Sequence, residues 1–458
     1  MTVRLTIVGD VLLDRDLVGE VERICPDAPV PVVDAVVAHD RPGGAGLAAS
    51  LAAGSADVTL VTALADDEAG DRLGDLLGRA GVRTAVMRRR GATPVKMRVR
   101  AGRQSLVRLD LGESRPVPID VSAEAGEAIC GADAVLVADY GGGVTAQEMI
   151  RGLLSRAAAS VPLVWDPHPR GAQPVAGCVL VTPNVDEVRL LQTATGTADV
   201  TWVIDAARRL RDRWRADAVS VTRGAQGAVL VGPAGPLVVP ARDVTAIDVC
   251  GAGDRFAAEA ALALADRVGI ADAVERAVEA ATAYVASSDR PAGFERASTR
   301  AFPDASAERL AGAVGPRCVV ATSGCFDLLH AGHVRMLEQA RRLGDRLVVL
   351  LNDDASVSRL KGAGRPVVPE RERAEVLSAL ACVDDVVLFG EDTPERALTE
   401  LRPAIFVKGA DYTLADLPEA RLVATWGGET VILPYEAGRS TTELIARSHR
   451  AARMPASA

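Results

Sequence analysis

Residues 323–333 read SGCFDLLHAGH, and they join a predicted strand to a predicted helix. The apolar run at 318–321 is typical of a buried strand, and the apolar residues from Val334 to Leu343 recur at helical spacing. Backbone N–H groups at such a helix start lack partners and attract anions. His330 and His333 lie on either side of a glycine there, so the turn is suited to hold a phosphate group.

Two other interpretations of the histidines are open on the residues alone: half of a metal site with Cys325 as third ligand, or two structural histidines. No second cluster of metal-ligating residues follows in the sequence. The whole segment resembles the HxGH signature of a nucleotidyltransferase superfamily, which favours phosphate binding. The resemblance implies nucleotide contacts by the first four residues of the segment: Ser323, Gly324, Cys325 and Phe326.

The composition limits the class of protein. A chain of 458 residues predicts two or three domains, and a hydrophobic content of 48% suffices for large cores. The net charge of −9 argues against nucleic acid as a partner. No apolar run reaches about 18 residues, so no membrane span is predicted. Seven scattered cysteines and an N-terminus without signal-peptide features predict a cytoplasmic protein.

The basic residues are unevenly chosen. They number 52, yet three of them are lysines: Lys96, Lys361 and Lys408. Lysine presents a compact point charge and arginine a planar fork, so a lysine kept among arginines indicates a site that arginine cannot fill. Chance survival of the three lysines is the alternative.

Up to residue 303, short apolar runs alternate with helical stretches, which predicts a mostly parallel sheet covered on both faces. Strands are predicted at Leu5–Val8, Val58–Thr62, Ala134–Ala138, Leu163–Trp165, Val179–Thr182 and Ala218–Thr222. Helices are predicted at Ala45–Ala53, Asp71–Ala80, Ala206–Arg213 and Phe256–Ala265. Residues 28–38 and 93–111 alternate like strands without helices between them, which predicts a small separate sheet acting as a lid.

The same rhythm restarts at Cys318 after a stretch that reads as a short helix and a linker. Strands are predicted at Leu347–Leu351, Asp385–Phe389, Ile405–Lys408 and Thr430–Leu433. We therefore predict a first domain at 1–303, a linker at 304–317 and a second domain at 318–458.

A second phosphate-handling turn is predicted in the first domain, where residues 247–256 read IDVCGAGDRF. Successive N–H groups of Gly251, Ala252 and Gly253 can form a nest for an anion. Asp254 beside this nest is suited to act as a base for a substrate hydroxyl. The structural alternative is an aspartate that caps the helix. No GxxxxGK[ST] sequence occurs, so a Walker-type nucleotide site is excluded.

GAGD resembles the signature of the ribokinase-like sugar kinases, and other pieces of that family follow in order: VGDVLLDR at 8–15, RPGGAG at 41–46, TPNVDE at 182–187 and VTRGAQG at 221–227. The resemblance implies a three-layer α/β domain. It implies sugar contacts by Asp10, Asp14, Gly43 and Gly44. It implies nucleotide-phosphate contacts by Thr222, Arg223 and Gly224, a place near Mg²⁺ for Asn184, and an indirect metal contact for Glu187.

Lys96, Arg108 and Asp110 lie on the proposed lid. The two basic groups among them would suit a sugar that already carries a phosphate, unless they form a solvated face. The opening DVLLDRDLVGEVERICPDAPVPVV, residues 10–33, is similar to the kinase half of the bifunctional heptose kinase/adenylyltransferases. Two positions depart from that family: Leu47 replaces an asparagine that contacts sugar, and Gly142 replaces a lysine.

The resemblance to the nucleotidyltransferases continues to the C-terminus. Lys361 follows a predicted strand and loop, Lys408 begins the sequence KGADY with Asp411, and RSTTELI at 439–445 begins a predicted helix. Ser440, Thr441 and Thr442 would cap that helix and hold a phosphate. Taken singly, each segment also reads as a helix cap or a solvated loop.

The expected chemistry is in-line attack by a sugar 1-phosphate oxygen on the α-phosphorus of a nucleoside triphosphate. His330, His333, Lys361 and Mg²⁺ would position the groups and neutralise their charge, without a covalent intermediate.

The sequence therefore predicts a cytoplasmic bifunctional α/β enzyme: a ribokinase-like domain with a small β lid, followed by a Rossmann-like HxGH nucleotidyltransferase domain. It would use ATP and Mg²⁺ to phosphorylate heptose 7-phosphate at O1, and then convert heptose 1-phosphate into ADP-heptose with release of pyrophosphate. A separate phosphatase must act between the two steps, and we expect a homodimer. The alternatives are another sugar phosphate, CTP or GTP in place of ATP, or a non-catalytic kinase-like scaffold.

Overall fold

The structure is a computed structural model that describes residues 2–25, 27, 31–101, 104–112, 121–192, 199–244, 249–287, 318–362, 364–409 and 417–433. Within these residues the chain forms two compact units. The first comprises Met1–Thr195, Ala206–Leu230 and Pro240–Glu308, and the second comprises Gly196–Asp205, Val231–Val239 and Arg309–Ala458. The linker predicted at 304–317 lies outside the described residues, so the predicted domain boundaries stay predictions.

The strands up to residue 239 are β1 (Arg4–Gly9), β2 (Val11–Ile24), β3 (Pro31–Gly44), β4 (Asp57–Leu64), β5 (Arg83–Arg88), β6 (Val95–Ala101), β7 (Gln104–Leu111), β8 (Ala134–Ala138), β9 (Leu163–Asp166), β10 (Leu180–Val181), β11 (Ala218–Thr222), β12 (Ala228–Gly232) and β13 (Gly235–Val239). The main sheet of the first unit has the order β5-β4-β1-β8-β9-β10-β11, with every neighbouring pair parallel. All residues of β8 are buried, as expected for a parallel strand covered on both faces.

The helices of this part are α1 (Ala45–Ala52), α2 (Glu68–Arg79), α3 (Ala123–Cys130), α4 (Glu148–Ala157), α5 (Val185–Gln192), α6 (Val200–Trp214), α7 (Ala252–Ala265) and α8 (Ile270–Ala286). The predicted ribokinase-like α/β arrangement is confirmed. Three predicted helix starts were too late: α2 begins at Glu68, α6 at Val200 and α7 at Ala252. In α7 the error arose because the glycine-rich turn was assumed to precede the helix, whereas it forms the first turn.

The lid is a four-stranded sheet with the order β3-β2-β6-β7. A separate sheet was predicted from residues 28–38 and 93–111, but its extent was wrong, because β2 was not predicted as a strand. Asp14 and Asp16 of β2 are buried, and Arg41 of β3 donates to them at 3.1 and 2.9 Å. Arg98 of β6 donates to Asp14 at 2.7 Å. Charged pairs between adjacent strands, and not apolar alternation alone, therefore hold this sheet together.

The second unit repeats the strand–helix rhythm with β14 (Val319–Gly324), β15 (Arg346–Asn352), β16 (Asp385–Phe389), β17 (Ile405–Gly409) and β18 (Glu429–Leu433). Its helices are α9 (Ala331–Arg341), α10 (Asp354–Lys361), α11 (Glu370–Ser378), α12 (Glu395–Leu401) and α13 (Pro418–Ala424). The parallel order is β16-β15-β14-β17-β18. The connections that follow adjacent strands of this sheet run to opposite sides of it at β14. A crevice therefore opens at the carboxyl end of β14.

Arg373 of α11 ties the elements around this crevice together. Its side chain is 1% exposed. The guanidinium donates to the carbonyl oxygens of Cys325, Asn352 and Val368 at 2.6, 2.9 and 2.9 Å, and to the carboxylate of Asp354 at 2.7 Å. The planar fork thus satisfies backbone acceptors from the ends of β14 and β15 at once.

None of the helices in the described ranges combines the length and the apolar character needed to cross a membrane.

Candidate active sites

Asp254 lies in the first turn of α7 and faces Tyr140, which follows β8. The Tyr140 hydroxyl donates to Asp254 Oδ1 at 2.6 Å, and the aspartate is 9% exposed. Burial raises the pKa of Asp254 to about 6, against the opposing effects of the Tyr140 hydrogen bond and the Lys96 charge. The carboxylate is therefore basic enough to accept a proton near neutral pH.

The helix-capping alternative for Asp254 is wrong, because Gly251 is the N-cap of α7 and adopts a left-handed φ of 85°. A Cβ at Gly251 would lie 2.9 Å from Tyr284 Oη and 3.0 Å from Leu47 Cδ2. At Gly253, by contrast, a Cβ would meet open space. The turn therefore packs against Leu47 at Gly251 and is open at Gly253, where an anion can reach the backbone N–H groups of Ala252 and Gly253.

Two further carboxylates lie near Asp254. Asn184 and Glu187 form a reciprocal cap: the Asn184 N–H donates to Glu187 Oε2 at 2.8 Å, and the Glu187 N–H donates to Asn184 Oδ1 at 2.9 Å. Burial raises the pKa of Glu187 to about 7. Burial, and then the charges of Glu187 and Asp254, raise the pKa of Asp166 well above its usual value.

These carboxylates fit a magnesium ion. Their mutual repulsion leaves an uncompensated demand for positive charge, and carboxylate oxygens are ligands that Mg²⁺ accepts. Across the described ranges, no three potential ligand side chains are placed to hold a metal by themselves. The indirect metal contact predicted for Glu187 stays a prediction.

A cavity of about 260 Å³ lies beside the N-terminus of α7. The predicted nucleotide residues Thr222, Gly224, Ala252 and Gly253 all line it. Its remaining walls are largely apolar and include Val244, Val249, Phe256, Val278 and Val285. An apolar slot next to an anion-binding turn suits a purine base and its phosphates. Arg223 is outside this lining and precedes the short turn at 224–226.

Asp10, predicted to contact sugar, is held by the backbone. It accepts hydrogen bonds from the N–H groups of Tyr140, Gly142 and Val144 at 3.2, 2.8 and 3.0 Å. A Cβ at Gly142 would lie 2.7 Å from the Asp10 carboxyl group. The glycine at this position therefore leaves the space that the Asp10 carboxylate occupies.

The other predicted sugar residues fall into two groups. Gly44 has a φ of 61° where the chain passes Asp10, and Gly43 precedes it in β3. Lys96 lies near enough to Asp254 to lower its pKa. Asp14 is engaged by Arg41 and Arg98, whereas Arg108 and Asp110 pair with each other at 2.7 Å on the exposed strand β7. Sugar contacts by all seven of these residues, Asp10 included, stay predictions.

In the second unit, a cavity of about 630 Å³ opens at the carboxyl end of β14. His330 is the N-cap of α9, and its ring stacks on that of His333 with centroids 3.9 Å apart. Burial, and then the His330 charge, lower the pKa of His333 to about 4, so this imidazole is neutral at pH 7. The metal interpretation of the pair is not supported, because no three-ligand cluster occurs in the described ranges.

The remaining predicted residues of this site are placed as follows. Those that line the cavity with the histidines are Ser323, Gly324, Cys325, Phe326, Lys361 and Lys408. The Lys408 ammonium donates to the Ser323 carbonyl at 3.5 Å. Lys361, predicted to follow a strand and a loop, is the last residue of helix α10, which follows β15. Asp411, Ser440, Thr441 and Thr442 lie outside the described residues.

Sequence reasoning missed Tyr140, Asp166 and the buried Glu419, which lines the second cavity. Asp166 carries a usable signal, because a carboxylate directly follows the buried apolar strand Leu163–Trp165. Tyr140 carries none, since the structure alone brings it to Asp254, 114 positions away.

Comparison with known proteins gives matches over both units. Residues 3–290 match the model of the pfkB family carbohydrate kinases, and residues 321–447 match the cytidylyltransferase-like model. A bifunctional protein HldE of Streptomyces coelicolor is 50% identical over 98% of this chain and 97% of its own length. Another, from Azorhizobium caulinodans, is 40% identical over 97% of this chain and 98% of its own.

A solved structure shares the fold of the first part. Arabidopsis thaliana ribokinase, determined with ribose and ATP, superposes with a TM-score of 0.51 at 19% identity. The match covers 63% of this chain and 94% of the ribokinase chain. At this identity the likeness shows the fold alone.

The tight packing at Gly142 gives a test of this geometry. We expect Gly142→Ala to lower the free energy of unfolding of the first unit by about 2 kcal/mol, because the methyl group would displace the Asp10 carboxylate. The matched control is Gly152→Ala in α4, where a Cβ meets open space and alanine favours the helix. Thermal unfolding followed by circular dichroism measures both, and equal stability of the two variants would contradict the placement of Asp10.

Proposed function

Because the chain belongs to the family of bifunctional HldE proteins, we propose that it phosphorylates heptose 7-phosphate at O1 and converts heptose 1-phosphate into ADP-heptose. The chain is a kinase and a nucleotidyltransferase, as its two family matches state. The observation that carries the proposal is that each unit places a reactive group at the N-terminus of a helix beside a cavity: Asp254 at α7 and His330 at α9.

In the kinase reaction, Asp254 accepts the proton of the sugar O1 hydroxyl as that oxygen attacks the γ-phosphorus of ATP, and ADP leaves. The Tyr140 hydroxyl fixes the orientation of the carboxylate. The N–H groups of Ala252 and Gly253 stabilise the charge on the transferring phosphoryl group. Mg²⁺, near Glu187 and Asp166, would supply charge neutralisation for the triphosphate.

In the nucleotidyltransferase reaction, a phosphate oxygen of heptose 1-phosphate attacks the α-phosphorus of ATP, and the bond to pyrophosphate breaks. The start of α9 and the imidazoles of His330 and His333 hold the α-phosphate. His333 is neutral, so it acts as a hydrogen-bond donor and not as a charge. Lys361 neutralises the departing pyrophosphate, and Lys408, whose ammonium lies 3.5 Å from the Ser323 carbonyl at the end of β14, adds positive charge beside the α-phosphate position.

Three further inferences accompany this function. A separate phosphatase acts between the steps, because the kinase product carries two phosphates and the second substrate carries one. The enzyme works in the cytoplasm, which agrees with free thiols at Cys25, Cys250 and Cys382. It forms a homodimer, for which the exposed apolar residues of the lid are suited: Val36, Val37, Val107, Leu109 and Leu111.

One alternative has specific support and another is weakened by the structure. Transfer of CMP in place of AMP is favoured by the cytidylyltransferase-like match of the second unit. A non-catalytic first unit was suggested by Leu47 and Gly142. The packing roles of these residues, against Gly251 and Asp10, weaken that suggestion, since neither change disturbs the Asp254–Tyr140 pair.

Separate inactivation of the two sites tests the function. We expect Asp254→Asn to reduce ADP release from heptose 7-phosphate and ATP by at least about 100-fold and to leave pyrophosphate release from heptose 1-phosphate and ATP unchanged. His330→Ala should do the reverse. Mass spectrometry of products from a panel of sugar phosphates with all four triphosphates identifies sugar and base. If the wild-type protein releases no ADP with any of the sugar phosphates, the scaffold alternative is established.

The pH dependence of the kinase reaction tests the role of Asp254. Only the deprotonated carboxylate accepts a proton, so kcat/KM should fall as the pH drops through about 6. The Tyr140 hydrogen bond lowers the pKa of Asp254, so Tyr140→Phe should move this limb to higher pH. Ionisation of the substrate is common to both proteins and cancels in the comparison. A limb that stays in place, or moves to lower pH, would exclude Asp254 as the titrating base.

A further inference from the structure

Glu419 is a deeply buried carboxylate that the reaction described above does not use. It lies in the first turn of α13, directly after Leu417 and Pro418, and it is 7% exposed. Its side chain lines the 630 Å³ cavity of the second unit. Among the described residues nothing donates a hydrogen bond to it and no cation lies within ion-pair distance, since the Lys408 ammonium affects it only through space.

Such a carboxylate needs a partner. Its oxygens open onto the cavity, so a ligand that displaces water from them has to supply donors in exchange, because a desolvated carboxylate without a donor costs several kcal/mol. The opening of the carboxylate toward the cavity makes the bound substrate the source of those donors. The chemistry of the substrate part that faces Glu419 can therefore be inferred from where Glu419 lies.

The cavity has two chemically distinct ends on opposite sides of β14. On the β15 side, Lys361 and Arg365 come from α10 and the segment after it. On the β17 side lie Gly409, Leu417 and Glu419, and the ammonium of Lys408 from the same strand is directed to the Ser323 carbonyl of β14, between the two ends. Between them, the start of α9 with His330 marks the position of the α-phosphate. A carboxylate repels phosphate, so the pyrophosphate part of the triphosphate belongs on the β15 side, and a neutral donor belongs next to Glu419.

In a nucleoside triphosphate, the α-phosphate joins the pyrophosphate part to the ribose. With the pyrophosphate on the β15 side, the ribose lies on the β17 side. Its 2′- and 3′-hydroxyls are adjacent donors, and the two oxygens of one carboxylate can accept from both. An acidic side chain that binds a ribose hydroxyl beyond a parallel strand is a recurring solution in nucleotide-binding α/β sheets. The buried Leu417, which also lines the cavity, limits the access of water there and so strengthens the interaction.

We propose that Glu419 accepts hydrogen bonds from the ribose hydroxyls of the nucleoside triphosphate and makes the second site selective for ribonucleotides over deoxyribonucleotides. This assignment rests on the proposed nucleotidyl transfer in the same cavity. It makes Glu419 a specificity-determining residue, with no part in the bond-breaking step.

Calorimetric titration of the full chain with α,β-methylene ATP and with its 2′,3′-dideoxy counterpart tests the proposal. We expect Glu419→Gln to weaken binding of the ribonucleotide at one of the two nucleotide sites about 10-fold and to leave the dideoxy analogue unaffected. The kinase site is the same in both proteins, so it contributes nothing to the difference. Glu375→Gln, an exposed position on α11, is the matched control and should change neither affinity.

Two results would overturn the assignment. An equal loss for both analogues would mean that Glu419 acts on the phosphates or on the fold, and no loss for either would mean that the ribose does not reach it. A far-ultraviolet circular dichroism spectrum and a thermal unfolding curve equal to those of the wild type confirm that Glu419→Gln is folded.

Failure of the proposed function gives a different pattern. In that case the wild-type protein releases no pyrophosphate with any sugar phosphate, yet the ribose-dependent difference in binding persists. If pyrophosphate is released while that difference is absent, the Glu419 assignment fails and the proposed function stands.

Discussion

The start of a helix directly after a buried parallel strand or a tight glycine turn is the constraint on which both sites depend. The first N–H groups of such a helix have no intrahelical acceptor, and their partial positive charge favours an anion. At α7 the left-handed Gly251 lets the chain enter the helix with Ala252 and Gly253 open to the cavity. At α9 the same role falls to His330, whose ring stacks on His333. Each unit thus offers phosphate a position fixed by backbone geometry.

The charged residues divide between structure and chemistry according to side-chain shape. Several arginines stabilise the fold: Arg41 and Arg98 form ion pairs with the two aspartates of the lid, and Arg373 donates hydrogen bonds to carbonyl groups next to the second cavity. The lysines Lys361 and Lys408 instead line that cavity. A planar fork suits fixed bidentate partners, whereas a compact ammonium adapts to a phosphate that arrives and leaves. This division agrees with the three lysines being retained in an arginine-rich chain.

The sequence predicted the local features well. Most strands of the two parallel sheets, the glycine turn and the histidine turn follow from apolar periodicity and turn chemistry within a few positions of the chain. The sequence did not predict the edge strand β5. It failed for β2, because its buried Asp14 and Asp16 break the apolar alternation and are compensated by arginines from other strands. It also missed Tyr140, Asp166 and Glu419, whose roles depend on residues far away in sequence. Periodicity carries no information on such long-range neighbours.

The central claim is that two separate helix starts on one chain bind the phosphates of ATP. Hydrogen–deuterium exchange with and without a non-hydrolysable ATP analogue and magnesium tests this most directly, because it reports on the backbone N–H groups themselves. We predict slower exchange in peptides that contain Ala252–Asp254 and in peptides that contain Ala331–His333. Protection at neither segment would contradict the account. Protection that stays confined to one segment at every analogue concentration would contradict it as well.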